Sequence, residues 1–396
     1  MTPRPESTRP PMLADALSVL LPHPVQASFL RACLLDGPDT REAWLDWMRA
    51  VGDPLAAIRR DELGLKPWLP LLLESARRRG ALAGQEGLSV LRVAHFREEL
   101  RTKTFRRLCG CVLGTLRDAG VPFVLVGGVA LADTVYAAPT LRHCHDIDVL
   151  VEGSDIAKAS AALAQVGFRP APGVSRARTG EPCFRHDSGL CVELHTDLPG
   201  SRFFSLSMPD VWECCRVARV CDTRVNVLSP ADSLVHVLGK VSAGPCRRKP
   251  CWILDVWHMM SGTPSVDWDR LSGLIDRAGM VLPTVVLLDH MAREFRAPVP
   301  QCALEHLRTS ARAADRRERE LALGAATAGG RIGIRRLIDA ARTSRSRTFI
   351  LRWLILPSAS YLRQAHDGSS PSAMPLLYAR RALSRLASLC TGGPHG

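Results

Sequence analysis

The sequence contains no C-x-x-C pair, although 13 of its 396 residues are cysteine. Zinc fingers and ribbons usually hold their metal through such closely spaced pairs, so these classes are excluded. A secretory leader is also missing at the amino end, so we expect free thiols and no disulfide framework. One alternative stays open, in which His143, Cys144 and His145 join distant ligands in a structural zinc site.

Long hydrophobic runs are absent as well. No apolar stretch of the sequence approaches the roughly 20 residues that a membrane-spanning helix needs. Together with the missing leader, this predicts a cytoplasmic protein with no transmembrane segment. A basic amphipathic helix is predicted over residues 374–389, either as a packing helix or as a helix that touches a membrane surface.

Lysine and aromatic residues are scarce. Only 5 of the 52 basic residues are lysine, and aromatic residues make up 5% of the chain, in spite of a net charge of +13. The basic runs are not interleaved with aromatic residues, as a base-stacking surface would require. Nucleic acid is therefore not an expected partner, and a nucleic-acid nucleotidyltransferase is the weakest of the alternatives kept. The positive charge would still favour an anionic nucleotide.

The pattern along the chain predicts four parts: a flexible tail at 1–12, a helical region at 13–104, a mixed core at 105–228 and a helical region at 229–396. Within the core, the predicted strands cover residues 121–126, 146–151, 168–171 and 190–195, and helices alternate with them. Such an order indicates an α/β or α+β domain. Helices are predicted downstream at 253–260, 268–278, 282–295 and 313–326.

Two carboxylates stand on one face of the strand at 146–151. Side chains alternate along a strand, so Asp146 and Asp148 point the same way, while Ile147 and Val149 point into the core. Neighbouring carboxylates repel each other unless a cation lies between them, and Mg²⁺ is a natural partner because it prefers oxygen ligands. By itself, a D-x-D pair equally fits two solvated acids at an exposed strand.

Three neighbouring features favour a phosphate site over that simple explanation. Gly127 and Gly128 lie between a buried strand and a helix, where the missing side chains let backbone N–H groups approach a phosphate. Arg142 precedes Asp146 by four residues and could bind a phosphate or brace the carboxylates. Glu193 would supply a third carboxylate from the strand at 190–195, as two-metal phosphoryl transfer requires.

These motifs are similar to those of the DNA polymerase beta-type nucleotidyltransferase superfamily. More narrowly, the chain resembles bacterial nucleotidyltransferase family proteins that occur with natural-product and exopolysaccharide gene sets. The resemblance covers about residues 25–300 and is most specific in the catalytic motifs. The segments with the strongest similarity are Val-Leu-Val-Gly-Gly-Val-Ala-Leu at 124–131, Arg-His-Cys-His-Asp-Ile-Asp-Val-Leu-Val at 142–151 and Val-Glu-Leu-His at 192–195.

The resemblance implies an α+β fold, a mixed sheet with flanking helices. It implies Asp146, Asp148 and Glu193 as catalytic metal ligands for Mg²⁺ or Mn²⁺, and Gly127 with Gly128 as the nucleotide-phosphate turn. The implied reaction moves a nucleoside monophosphate from an NTP, with ATP expected, to an acceptor and releases pyrophosphate. Gly128 departs from the serine common in the superfamily, and Cys144 stands where related proteins often have threonine.

The acceptor is not identified by the sequence, and a small molecule, a peptide or a protein would all fit. Candidate residues on the acceptor side are His195, His236, Lys240 and Asp255, each of which equally fits a purely structural role. The rival hypothesis is an inactive nucleotidyltransferase fold that binds a protein partner, antitoxin-like or as part of a biosynthetic complex.

Overall fold

The computed structural model describes residues 17–36, 38–61, 64–79, 85–171, 182–198, 204, 208–243 and 251–326, together with residues 347–348, 375, 377–379 and 383. The predicted tail at 1–12 and most of the predicted helix at 374–389 lie outside these ranges. Among the described helices, none combines the length and the apolar character that crossing a membrane demands.

Within the described residues, seven strands form one mixed sheet in the spatial order β3-β4-β5-β2-β1-β7-β6. Strand β2 lies at the centre, antiparallel to β1 and parallel to β5. The strands are β1 (Phe123–Val126), β2 (Asp146–Val151), β3 (Arg169–Pro170), β4 (Cys183–Arg185), β5 (Cys191–His195), β6 (Arg216–Val220) and β7 (Thr223–Val227). With many helices around this sheet, the chain has the expected α+β fold.

Helices precede, cover and follow the sheet. Those up to the end of the sheet are α1 (Pro24–Leu34), α2 (Pro38–Val51), α3 (Pro54–Arg60), α4 (Leu69–Arg79), α5 (Gln85–Asp118), α6 (Gly128–Thr134), α7 (Ile156–Gln165) and α8 (Met208–Glu213). Those after it are α9 (Pro230–Ser242), α10 (Cys251–Ser261), α11 (Trp268–Ala278), α12 (Val281–Phe295), α13 (Gln301–Ala313) and α14 (Arg316–Ala326).

One face of the central strands β2 and β5 is apolar and packs on helices. Ile147, Val149, Val192 and Leu194 are each 0% exposed. They share a hydrophobic core with Leu113 and its neighbours on α5 and with the buried residues of α7. Alternation along β2 and β5 therefore turns Asp146, Asp148 and Glu193 to the opposite face, as the sequence predicts.

The helices at the two ends of the chain share a second hydrophobic core. Phe29 and Trp47 of the amino-terminal helices are buried in it together with Leu254 and Leu288 of the carboxy-terminal helices. Leu131 and Tyr136, from the segment that follows β1, belong to the same core. The two helical regions are thereby joined to each other and to the part of the sheet that bears the acids.

Helix α9 starts as its sequence predicts and brings polar residues to the sheet. The Ser229 hydroxyl accepts a hydrogen bond from the Asp232 amide at 3.1 Å, and Pro230 stands at the first helical position. Serine and proline together fix the helix start. The serine hydroxyl accepts from a first-turn amide that has no partner within the helix, and proline has no amide hydrogen that would be left unpaired. His236 and Lys240 follow on this helix.

The structure corrects several predicted elements. Residues 301–313 form the unpredicted helix α13, and the helix predicted at 313–326 begins only at Arg316. Strands β4, β6 and β7 were also not predicted. The β6–β7 hairpin turns at Cys221 and Asp222, whose φ values are 46° and 65°. Such tight turns usually contain glycine or asparagine, so this one lacks its ordinary sequence signal.

Candidate active site

The acids of the predicted site lie on adjacent, parallel strands. Asp148 of β2 is the direct register partner of Glu193 on β5, and Asp146 is the partner of Cys191. On the other side, Asp148 is the partner of Val126, the last residue of β1. Because register partners on neighbouring strands project to the same face, Asp148 and Glu193 are side by side next to the end of β1.

Asp148, Glu193 and His195 form a compact cluster. The His195 Nε2 atom lies 2.9 Å from Asp148 Oδ1 and 3.8 Å from Glu193 Oε2. One potential ligand atom of each residue lies within 4.8 Å of those of the other two. The side chains of His195, Asp148 and Glu193 are 0%, 5% and 12% exposed. Two carboxylates and an imidazole thus meet in a nearly water-free position.

Asp146 lies at the margin of this cluster. Its side chain is 21% exposed, and its Oδ2 atom lies 3.5 Å from Nε2 of His145. Among the described residues, the one group close enough to share a metal ion consists of Asp148, Glu193 and His195. Asp146 shares their face of the sheet and is more open to solvent.

Gly127 makes the turn between β1 and α6 beside Asp148. Its φ of 72° lies in the region that favours glycine. A Cβ atom at this position would stand only 2.7 Å from Asp148 Oδ2. At Gly128, a Cβ atom would stand 3.3 Å from a guanidinium nitrogen of Arg142. The glycine pair therefore gives the backbone a close approach both to the acid and to the arginine.

Arg142 is bound to Asp255 of α10. Its Nε and Nη2 atoms donate to Asp255 Oδ1 and Oδ2 at 2.7 and 2.9 Å, and Nη1 donates to the carbonyl oxygen of His143. The Tyr136 hydroxyl donates to the same carboxylate at 2.7 Å. The Arg142 guanidinium also lies 5.3 Å from the ring centroid of Trp68. Burial would lower the pKa of Arg142, but the Asp255 carboxylate raises it well above the ordinary value.

The remaining acceptor-side candidates lie on α9. Lys240 Nζ is 3.9 Å from Asp148 Oδ2, and its side chain is 29% exposed. His236 is 3% exposed and lines a small cavity together with Gly127. Helix α9 therefore supplies a cation and an imidazole close to the turn and the acids.

The loop before β2 is held by Glu98 of α5. The His143 Nδ1 atom lies 3.0 Å from both carboxylate oxygens of Glu98, and Arg101 Nη2 donates to Glu98 Oε1 at 2.8 Å. Burial would raise the pKa of Glu98, but the hydrogen bonds from His143 and Arg101 lower it. Arg101 also donates to the carbonyl oxygen of Cys144. These contacts connect the long helix to the segment that leads into the acids.

The zinc alternative gains no support from this loop. The Cys144 thiol donates to the carbonyl oxygen of Arg142, and burial raises its pKa to about 12. Neither Cys144 nor its two histidine neighbours belongs to the group close enough to share a metal within the described part of the chain.

The Asp148, Glu193 and His195 cluster suits a divalent cation by its donor atoms. Carboxylate oxygens match Mg²⁺, and an added imidazole also suits Mn²⁺. Gly127 packs closely against Asp148, so backbone lies on that side of the carboxylate. The donor atoms of these residues therefore fit the Mg²⁺ or Mn²⁺ ion that the resemblance implies.

Several residues of the site have no sequence signal. Four residues reach the site only through contacts between distant segments, namely Tyr136, Trp68, Glu98 and Arg101. A contact of the same kind joins Arg142 to Asp255 across 113 residues. In the sequence, His195 offered a weak signal because it shares its strand face with Glu193.

Comparison with known proteins identifies the family. A family model described as an uncharacterised nucleotidyltransferase matches residues 68–297, more than half of the chain. No curated protein and no solved structure matches the chain. The chain therefore belongs to this nucleotidyltransferase family, and the match extends from Trp68 past the acids to the helices that follow the sheet.

Proposed function

We propose that this member of the nucleotidyltransferase family moves a nucleoside monophosphate from an NTP to an acceptor. ATP is the expected nucleotide, and pyrophosphate is the second product. The observation that supports this most is the meeting of Asp148, Glu193 and His195 within 4.8 Å beside the close-packed Gly127 turn. Nearly buried carboxylates in such proximity repel each other, and this repulsion favours a bound cation.

In the proposed reaction, an oxygen or nitrogen of the acceptor attacks the α-phosphorus of the NTP. The new bond forms as the bond from the α-phosphorus to the oxygen that bridges to the β-phosphorus breaks, and pyrophosphate leaves. Asp146, Asp148 and Glu193, with His195, would hold Mg²⁺ or Mn²⁺. When bound, the ion supplies positive charge to the phosphate oxygens and to the leaving group.

The chain's own residues position the reactants. Glu193 is the proposed acceptor of the proton that the attacking group loses, since its side chain, 12% exposed, is the least buried of the three in the cluster. The Gly127–Gly128 backbone would lie along the phosphates, because these residues have no side chains of their own to keep a phosphate away from the backbone N–H groups. Arg142, fixed by Asp255, would brace the turn and present its positive charge to the same place.

Substitution of Asp148 tests the proposal. We expect Asp148→Asn to reduce NTP-dependent pyrophosphate release by about 1,000-fold, since it removes one charge from the centre of the site. The assay uses Mg²⁺ or Mn²⁺, labelled ATP and a cell extract as the source of acceptor. Asp222→Asn is the matched control, because this carboxylate is 88% exposed on the β6–β7 turn. Equal activity of the Asp148→Asn variant and the wild type would refute the proposal.

A second candidate is a binding protein that has kept the fold without catalysis. It is favoured by the contacts of Asp148, which has His195 at 2.9 Å and Lys240 at 3.9 Å and so has positive or proton-donating neighbours without a metal. Calorimetry with ATP separates the two candidates. Heat of binding that depends on Mg²⁺ or Mn²⁺ supports the enzyme, while co-purification with a partner and no such heat supports the binding protein.

A further inference from the structure

A cavity of about 520 Å³ lies between the amino-terminal helices and α5. This volume is in the range of small-molecule sites, which is about 300–1,000 Å³. The cavity is separate from the acid cluster, and its wall includes residues from α3, the segment before α4, α5 and the loop before β2. The lining residues include Ile58, Lys66, Val90, Val93, Arg97 and His143.

The walls of the cavity are largely apolar. Ile58 and Leu69 contribute from one side, and Val90, Val93 and Ala94 contribute from α5. Val93 is 50% exposed, an unusual state for a valine next to a concave surface. Burying such surface under a ligand releases it from water, so an apolar group would be bound favourably.

Basic residues outnumber acidic residues on the cavity wall, where Lys66, Arg97 and Arg101 stand against Asp61 and Glu98. Lys66 and Arg97 both line it, and neither side chain has an acidic partner within the described residues. Of the acids on the wall, Glu98 accepts hydrogen bonds from Arg101 and contacts His143. Asp61 keeps its negative charge, because the hydrogen bond that it accepts comes from the uncharged backbone amide of Lys66. A ligand with an anionic group would therefore find two cations beside the apolar wall, neither of which is paired with an acid of the described residues.

The cavity is connected to the acids through the loop before β2. His143 forms part of the cavity wall. Its ring centroid lies 6.1 Å from that of His145, and His145 Nε2 lies 3.5 Å from Asp146 Oδ2. Two histidine rings in sequence thus connect the cavity wall to the more exposed acid of the site.

We propose that this cavity binds the acceptor, and that the acceptor is a small amphipathic anion. Its apolar part would lie against Val90, Val93 and Ala94, and its anionic group would pair with Lys66 and Arg97. A hydroxyl or amine at its other end would pass His143 and His145 toward Asp146. This assignment rests on the proposed nucleotidyl transfer, for which it names the class of acceptor.

The reaction then has a defined course for this acceptor. The lone pair of its hydroxyl oxygen or amine nitrogen forms the bond to the α-phosphorus, and its proton passes to a carboxylate of the site. The electrons of the breaking bond leave with pyrophosphate. The product is the amphipathic anion that bears the nucleoside monophosphate, and no oxidant or further reactant is needed.

Binding to the cavity is measured with anilinonaphthalene sulfonate, a fluorescent probe with an apolar body and one negative charge. We expect saturable binding to the full chain, weakened about tenfold or more by Val93→Glu or Arg97→Glu. The matched controls are Val217→Glu, at a 58% exposed valine on β6, and Arg312→Glu, at an exposed position of α13. Phenylnaphthylamine, which lacks the sulfonate, should be insensitive to Arg97→Glu. Thermal melting confirms that each variant is folded.

The acceptor role is tested with the same variants, labelled ATP and a protein-free extract of small molecules. Wild type and the controls should label a small product, and Val93→Glu and Arg97→Glu should lose it while calorimetry still detects ATP binding. Unchanged labelling by these variants, or probe binding equal to that of the controls, would overturn the proposal. Label on the enzyme itself, with no labelled small product, would also overturn it. A wild type that binds no ATP contradicts the proposed function, and the probe then still reports on the cavity.

Discussion

Strands β2 and β5 carry polar side chains on one face and apolar side chains on the other. Asp148 and Glu193 alternate with Val149 and Leu194, so each acid has a fully buried apolar neighbour on the opposite face. The apolar face is covered by α5 and α7, whereas the polar face meets the turn at Gly127 and the polar residues of α9. Stability and chemistry are thus assigned to opposite sides of two strands.

The contrast predicts that adjacent residues give opposite results. Leu194→Ala should lower the free energy of unfolding by about 3 kcal/mol, because it removes buried methyl groups and leaves a cavity. Glu193→Gln should change that free energy by less than about 1 kcal/mol, since it also relieves repulsion from Asp148. Urea unfolding at constant m-value measures both.

Activity should follow the reverse order. The folded fraction of Leu194→Ala should keep its nucleotide binding, while Glu193→Gln should lose turnover and stay folded. If Glu193→Gln unfolded as readily as Leu194→Ala, the acid would be a structural member of the core, and the separation of the two faces would be wrong.

The turn at the edge of the polar face provides a second test. Gly127→Ala should cost about 2 kcal/mol of stability, because a side chain is strained at this φ. It should also weaken ATP binding, since the new Cβ would press on Asp148. Gly114→Ala is the matched control. This residue lies inside α5 with nothing within 4 Å of the added Cβ, so the change should stabilise by about 0.5–1 kcal/mol.

The two glycine variants distinguish local strain from a general effect of adding a methyl group. Calorimetry of ATP binding and thermal melting are measured for both. Tight binding of ATP by Gly127→Ala would show that the phosphates do not approach the backbone at this turn.

The contrast between the faces was predictable from sequence because it depends on local alternation. In β2 and β5, Ile147, Val149, Val192 and Leu194 recur with a period of two, and the three acids stand at the alternate positions. A buried strand of this kind specifies both its register and its outward face. The position of Asp148 beside Glu193 also required the two strands to pair in parallel, and this pairing was not predicted from the sequence.

The surroundings of the acids could not be predicted in the same way. Lys240 reaches Asp148, and Arg142 reaches Asp255, only after α9 and α10 have packed on the sheet. No local pattern encodes which of the 52 basic residues will face a given carboxylate. The hairpin of β6 and β7 was missed for a different reason, since its turn residues are not those that usually allow positive φ.

A buried histidine in the helices that cover the polar face predicts that the free energy of unfolding depends on pH. The His258 ring lies 4.2 Å from that of Tyr136, and Tyr136 donates to Asp255. Burial lowers the pKa of His258 to about 4, and this outweighs the opposite effect of Asp255. The unfolded chain, in which histidine has a pKa of about 6.5, therefore binds the proton first as the pH falls.

The sign of the effect follows from this difference in proton binding. Below about pH 6.5 the unfolded state gains a proton that the folded state refuses, so stability falls until the pH approaches the folded pKa. Between pH 7 and pH 5 the loss from this residue is about 2 kcal/mol. His258→Phe keeps the ring contact with Tyr136 and removes the titration, so its loss over this interval should be smaller by that amount. Urea unfolding at both pH values gives the difference. An identical loss in the variant and the wild type would mean that the covering helices admit the proton, and that the polar side of the sheet is less dry than its burial indicates.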